Sequence, residues 1–337
     1  MTNRVVIFGV TGTVGVYTAL RLKELNYDVI AVGRRKSDNG FFADYGIPYY
    51  SVDISKKEDF DKLPTDDVEC VIHYAGAMPA RMKGYNPQEY IDSIITGTLN
   101  VLDYTHKVNG KKIVFTQSIS DCFWMVKDAT PVPADIWRKF PLNNDHSVYV
   151  IAKNAAVDLI EHYFHKYGIK RFILRLPTIY LYHPDPYYHV DGVKKEMFYR
   201  MFIDKAVAGE TIEIWGDASK VKEIVYVKDF VQIVECCVKS PLDGGFYNVG
   251  EEECVSLEEQ VRGIVEVFGK EGHKSPIVYR PEMPDPSEFV FDISKTKNEL
   301  GYKPKFNYRE SLIDFKHEME TNPFEKLWGK ESDYRDK

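Results

Sequence analysis

Tyr149 and Lys153 stand four residues apart in the run Tyr149-Val150-Ile151-Ala152-Lys153, and no other of the 23 tyrosines is followed by a lysine at that distance. On a helix this spacing puts a phenol and an ammonium on one face. A free phenol has a pKa of about 10 and is a poor base at neutral pH. A neighbouring cation favours the phenolate. Such a tyrosine can take a proton from a hydroxyl, or return it, while a hydride moves to or from a nicotinamide. A plain surface pair is the alternative, so the rest of the chain must decide.

Gly9-Val10-Thr11-Gly12-Thr13-Val14-Gly15 follows an apolar run and opens a helical pattern. Glycines at that spacing permit a tight turn and let a pyrophosphate approach the backbone, with the helix amides aimed at its charge. A structural turn is the bland reading, and the strand-before, helix-after context argues against it. Where the second apolar run ends, an acidic residue would accept from the ribose 2′-hydroxyl of NAD. Here Gly33-Arg34-Arg35-Lys36 stands instead. A guanidinium suits a 2′-phosphate, so Arg34 and Arg35 favour NADP over NAD, with a solvated basic turn as the alternative. Phe115-Thr116-Gln117-Ser118-Ile119-Ser120 closes another run, at the strand edge where such sheets build their sites. A hydroxyl there could hold a substrate oxygen, although a strand-end serine is more often a turn former.

The elements that must carry these groups follow from periodicity. Strands are expected at 4–8, 28–32, 68–74, 112–116 and 171–176, and helices at 14–25, around 87–107, and at 148–167 with Gly168 as C-cap. This alternation predicts an α/β fold, a Rossmann-type doubly wound parallel sheet with a smaller C-terminal α/β substrate lobe. The expected division is 1–176, completed by about 225–248, for the dinucleotide domain. The substrate lobe takes 177–224 and 249–320, and 321–337 reads as a loosely held polar tail. The stretch 177–192, dense in Pro, Tyr and His, reads as a loop leaving the sheet.

Bulk properties narrow the class. The chain has 337 residues, enough for one large or two medium domains, and 44% hydrophobic with 28% charged residues is a globular balance. A net charge of −7 without a basic block argues against a nucleic-acid partner. The five cysteines make no C-x-x-C pair or zinc spacing, so no metal site is expected and the thiols read as reduced. No signal peptide or membrane-length apolar run is evident, and a soluble cytoplasmic protein is expected.

The G-x-x-G-x-x-G spacing resembles the extended branch of the short-chain dehydrogenase/reductase superfamily. Ile214-Trp215-Gly216-Asp217, then 222–229 (KEIVYVKD), Tyr247-Asn248-Val249-Gly250, Arg280-Pro281, and Asp292-Ile293-Ser294-Lys295 narrow it further. That succession is similar to the nucleotide-sugar epimerase/dehydratase family, in its UDP-galactose 4-epimerase-like form, over the chain up to about residue 316.

The resemblance implies that Ser118 orients the substrate oxygen beside Tyr149 and Lys153, with Ser120 as its nearest rival. It implies that Asp53 and Ile54 meet the adenine, and that Tyr74, Ala75, Gly76 and Thr116 border the cofactor with Lys153. Pro177, Thr178 and Ile179 would lie beside the nicotinamide. Lys222, where the family usually has arginine, and Arg280 would hold a nucleotide diphosphate. His183 and His189 fall in the presumed substrate loop, either as solvated residues or as an acid/base; His189 is carried as a substrate contact.

The implied activity is hydride transfer at a ring carbon of a nucleotide-linked sugar, C4 foremost, as epimerase or ketoreductase, in a homodimer packed through 87–107 and 149–167. Ile119-Ser120 replaces the family's Asp-Glu after the catalytic hydroxyl, which argues against dehydration. The family's Tyr-Gly-Pro is replaced at 180–184, and the apolar tract 122–144 is long. An NADPH-dependent reductase of a non-sugar carbonyl is the enzymatic rival. A non-catalytic NADP-sensing regulator is the rival from another class, although this chain keeps the Ser, Tyr and Lys such a protein would lose.

Overall fold

The computed structural model describes residues 3–126, 130–144, 146–190 and 192–335. Parts of the tract 122–144 (residues 127–129) and of the expected tail (336–337) lie outside them. Seven strands form one parallel sheet: β1 Arg4–Phe8, β2 Asp28–Gly33, β3 Tyr49–Ser51, β4 Cys70–His73, β5 Lys112–Ser118, β6 Lys170–Leu176 and β7 Gly244–Asn248. Their order is β7-β6-β5-β4-β1-β2-β3. The order in which strands are added reverses between β1 and β4, the switch point at whose carboxyl edge such sheets bind ligands.

Alternation along β1 shows why the strands are continuous apolar runs. Val5 and Ile7 face the core shared with α1 (Thr13–Glu24) and α4 (Val227–Lys239). Val6 and Phe8 face the opposite core, shared with α2 (Gly97–Lys107) and α3 (His146–Tyr167). Both faces are covered, so both must be apolar. Gly168 adopts a φ of 72° and stops α3 as expected.

A third core gathers Tyr180, Tyr199, Ile203, Ile214, Val261, Ile264, Phe268, Leu312 and Phe315 in the C-terminal lobe. Its helices Leu257–Phe268 and Tyr308–Thr321 both begin in capping boxes, Ser256 with Glu259 and Asn307 with Glu310. Two short parallel pairs run beside them, Thr178–Tyr180 with Ile224–Tyr226 and Ile212–Trp215 with Ile277–Arg280. No described helix is long and apolar enough to cross a membrane.

Two expectations need correction. The stretch 177–192 is not a plain loop: Thr178–Tyr180 is a strand, and Tyr187–Val190 pairs antiparallel with Val193–Glu196. The second strand's partner lies beyond 192, so periodicity within the stretch could not reveal the hairpin. Arg81 fastens this segment to the N-terminal domain, 2.7 Å from Asp185. Nor is the stretch after 321 a loose polar tail. Phe324, Leu327 and Trp328 are buried in the α1/α4-side core.

One buried ion pair ties the site-bearing strands together. Arg175 of β6 makes two bonds to Asp121, at 3.0 and 3.1 Å, and donates further to Ala134 O and Asn248 Oδ1, each at 3.0 Å. Arg175 and Asp121 are almost fully buried. The pair thereby fixes the chain just after Ser120 against β6 and β7. Removing one partner leaves the other as an uncompensated buried charge. Asp121→Ala is therefore expected to cost about 3–5 kcal/mol, read as a lowered denaturant midpoint. A loss below about 1 kcal/mol, the range of an exposed pair, would contradict this account.

Candidate active site

The glycine turn leaves no room for side chains. Gly9 has a φ of 83°, and a Cβ there would sit 2.7 Å from Ala75 N. A Cβ on Gly15 would lie 2.5 Å from Gly9 O. Gly12 caps α1 without any side-chain hydrogen bond, and the first turn from Thr13 and Val14 holds no acid. The uncapped amides and the bare backbone fit a dinucleotide pyrophosphate.

The flanking residues divide into those that face this cleft and those committed elsewhere. Arg34 is exposed (72%), with Glu89 3.7 Å away. Arg35 instead donates to the carbonyl of Leu327 at 2.7 Å. Asp53 Oδ1 accepts from the amide and hydroxyl of Ser55, at 3.1 and 2.7 Å. Ile54 is buried, and its carbonyl accepts from Asn100. The Tyr74 side chain turns to Thr18, 3.0 Å away, and its backbone adjoins the turn with that of Ala75, while Gly76, at a φ of 155°, lies against Ile94. Pro177 is buried, while Thr178 and Ile179 are half-buried.

Ser118, Tyr149 and Lys153 come together. The Ser118 side chain lies near enough to the Tyr149 phenol to lower its pKa, and its hydroxyl donates to Ser120 Oγ at 3.0 Å. Lys153 Nζ donates to Thr116 O at 2.8 Å and lies 4.4 Å from the Phe115 ring centre. Burial pushes the Tyr149 phenol up to about 12; the neighbouring Ser118 hydroxyl pulls the other way, and Tyr90 and Asp121 push up again. Burial brings the Lys153 ammonium down to about 7. The protein alone thus holds the phenol protonated, the opposite of what the Tyr/Lys spacing suggests. The lysine's own desolvation weakens the charge that was expected to lower it.

The anion-binding candidates lie on the C-terminal lobe. Lys222 is half-buried near the Phe198 and Phe289 rings, 5.7 and 6.0 Å away, and its partial burial lowers its pKa. Arg280 is half-exposed and paired with Glu213 at 3.0 Å, opposite Trp215 in its strand pair. His189 lines a small cavity with Tyr90 and His146, and the Tyr90 ring lies 5.7 Å from that of Tyr149. His183 is neither solvated nor placed as an acid/base. It packs 4.5 Å from Trp328, its Nδ1 accepts from Asp185 N, and burial pushes it down to about 3.

Sequence reasoning missed three contributors. His73, fully buried at the end of β4, bonds Thr98 Oγ1 at 3.0 Å, and its Nδ1 has no partner among the described residues. Burial first, then the Lys153 charge, pushes it down to about 3. A histidine closing an otherwise apolar strand was the available signal. Gln117 carries Ser118 by accepting its amide at 2.8 Å, and is itself held by Asn154 of α3. Trp328 donates to Thr11 O at 3.0 Å; nothing local in its sequence marks it.

A family model described as the NAD dependent epimerase/dehydratase family matches residues 5–250. A putative UDP-glucose 4-epimerase of Methanocaldococcus jannaschii is 26% identical over 318 residues, spanning 94% of this chain and 99% of that protein. The crystal structure of UDP-glucose 4-epimerase from Thermotoga maritima, with UDP-glucose, superposes with a TM-score of 0.76 at 22% identity, covering 95% of this chain and 99% of that one. That of the Thermus thermophilus UDP-glucose 4-epimerase in complex with NAD gives 0.67 at 21%, covering 95% and 98%. These likenesses between structures speak for the fold.

The lysine sets a pH signature. An unfolded chain keeps the Lys153 proton up to about pH 10.4, the folded one only to about 7. Between those values unfolding takes up a proton, so stability rises with pH; below about 7 the full burial cost is present. Lys153→Met should therefore raise Tm without added dinucleotide, more at about pH 6 than at about pH 9.5. Equal gains at both pH values would show that the ammonium is not desolvated.

Proposed function

The chain belongs to the NAD dependent epimerase/dehydratase family, and from that premise we propose that it interconverts nucleotide-diphosphate sugars by taking and returning hydrogen at a ring carbon, C4 foremost. The observation that carries the reading is the convergence of Ser118, Tyr149 and Lys153 at the carboxyl end of β5, on the same sheet edge from which the glycine turn leaves β1. Similarity to 4-epimerases over nearly the whole chain supports the substrate class and the carbon.

A bound dinucleotide supplies the hydride acceptor and donor. The chain does the rest. Ser118 holds the substrate oxygen and Tyr149 exchanges its proton, with Lys153 fixed below by Thr116. Lys222, half-buried without a carboxylate partner among the described residues, suits a diphosphate oxygen; Arg280 would add a second cation on releasing Glu213. Dehydration is disfavoured, because the first carboxylate after Ser118 is Asp121, held by two hydrogen bonds from Arg175. The cofactor is NAD or NADP, and exposed Arg34 supports the 2′-phosphate of NADP. A homodimer through α2 and α3 is supported by the exposed apolar side chains of Leu99, Ile151 and Tyr167 on those helices. A monomer mass in light scattering would remove it.

Tyr149→Phe keeps the ring and removes the exchangeable proton. It should slow conversion of UDP-hexoses, followed by the anomeric proton signals in NMR, by about 100-fold or more. A variant as fast as the parent would end the proposal.

A further inference from the structure

Residues 324–335 touch both loops that border the cofactor cleft. Trp328 donates its indole Nε1–H to Thr11 O at 3.0 Å, inside the glycine turn. One residue earlier, Leu327 O accepts from Arg35 at 2.7 Å, and Lys326 O accepts from Asn39 Nδ2 at 3.0 Å. Three consecutive residues thus hold the turn that fits a pyrophosphate and the loop that would meet the adenosine ribose.

The segment is anchored on both sides of that span. Phe324 packs on Tyr17 with ring centres 4.8 Å apart, and Trp328 packs on His183. Beyond, Glu331 pairs with Arg200 at 2.9 Å, and Arg335 reaches Glu196 at 3.2 Å and Asp204 at 2.5 Å. Tyr334 closes the bend by donating to Trp328 O at 2.6 Å. It therefore runs from the dinucleotide domain to the substrate lobe. Apolar docking alone would bury Phe324 and Leu327. It does not account for an indole donor and two carbonyls directed at the cofactor loops.

We propose that residues 324–335 form a strap that is part of the cofactor site, slowing dinucleotide release and, by engaging Arg35, leaving Arg34 to read the adenosine ribose. For a dinucleotide to leave, the glycine turn and the 33–36 loop must separate, and the strap joins them. Slow release suits a reaction in which the same hydride is taken and returned, because loss of the reduced cofactor would strand the oxidised sugar. The Arg34–Arg35 pair then has two jobs: Arg34, exposed and 3.7 Å from its nearest carboxylate, meets the ribose, and Arg35 holds the strap. The inference rests on the dinucleotide reading above and is independent of the sugar.

Release of NADH and NADPH from the full chain, followed by fluorescence after a chase with excess NAD or NADP, tests it without sugar. Trp328→Ala and Arg35→Ala should each speed release of both dinucleotides by about tenfold, with the NADPH-to-NADH affinity ratio kept within about twofold. Arg34→Ala should instead change that ratio by about tenfold. Trp328→Phe keeps an aromatic ring without the donor, and should release both about fivefold faster, the worth of one hydrogen bond; it serves should the alanine variant not fold. Two results would overturn the strap: Trp328→Phe releasing dinucleotide at the parent's rate, or Arg35→Ala shifting the ratio as much as Arg34→Ala. A parent protein that takes up neither dinucleotide would overturn the cofactor reading as well, which sets that failure apart.

Discussion

The bond from Lys153 Nζ to Thr116 O fixes the register between α3 and β5, and the site follows from that register. Helices of a doubly wound fold run antiparallel to the strands they cover. Going back four residues along α3 covers about 6 Å; going forward two residues along β5 covers about 6.6 Å. Once Lys153 meets Thr116, Tyr149 must arrive at Ser118. The nearness of phenol and hydroxyl is therefore a consequence of one ammonium–carbonyl contact, and Gln117 reinforces the register by bonding Asn154, the residue after Lys153.

Burial gives this register its precision and sets its electrostatics. The dry environment that makes one carbonyl contact decisive also pushes Tyr149 up to about 12 and Lys153 down to about 7. His73 is forced neutral beneath them. No carboxylate bonds Lys153 among the described residues, so its charge is held only by Thr116 O and the Phe115 ring. The chain alone is accordingly a poor base. The charge that would bring the phenol down has to enter the cleft with a ligand, which ties proton exchange to an occupied site.

Legibility in the sequence followed how local the determining physics is. β1, the glycine turn and α1 were readable because an apolar run, three glycines and a helical pattern are set by nearest neighbours and steric limits. Tyr149 and Lys153 were readable because four-residue spacing is a property of one helix. The bond of Arg35 to the C-terminal segment was not readable because its partner, Leu327 O, is almost three hundred residues away. The segment holding Leu327 looked polar because its few apolar residues are buried by α1, Phe41 and His183 rather than by one another. The hairpin at 187–196 escaped for a similar reason, since Arg81 and Asp185 fasten it across domains.

The same division explains why the departures from the family's pattern gather on the substrate side. The dinucleotide side is built where a single Cβ would collide with backbone, at Gly9 and Gly15, so variation there is closed off. The substrate side is built from side chains on loops and short strands, where a change of group is tolerated and alters recognition. Lys222 illustrates this. An ammonium offers a point charge where a guanidinium would offer a planar fork, so it can hold an anion without fixing its orientation. Beside Phe198 and Phe289, with burial lowering its pKa, its charged form would be favoured by an arriving anion. Under the proposed function, orientation of a bound substrate would then have to come from elsewhere, with the rings around Lys222, Arg280 beside Trp215, and the hairpin residue His189 near Tyr90 as candidates.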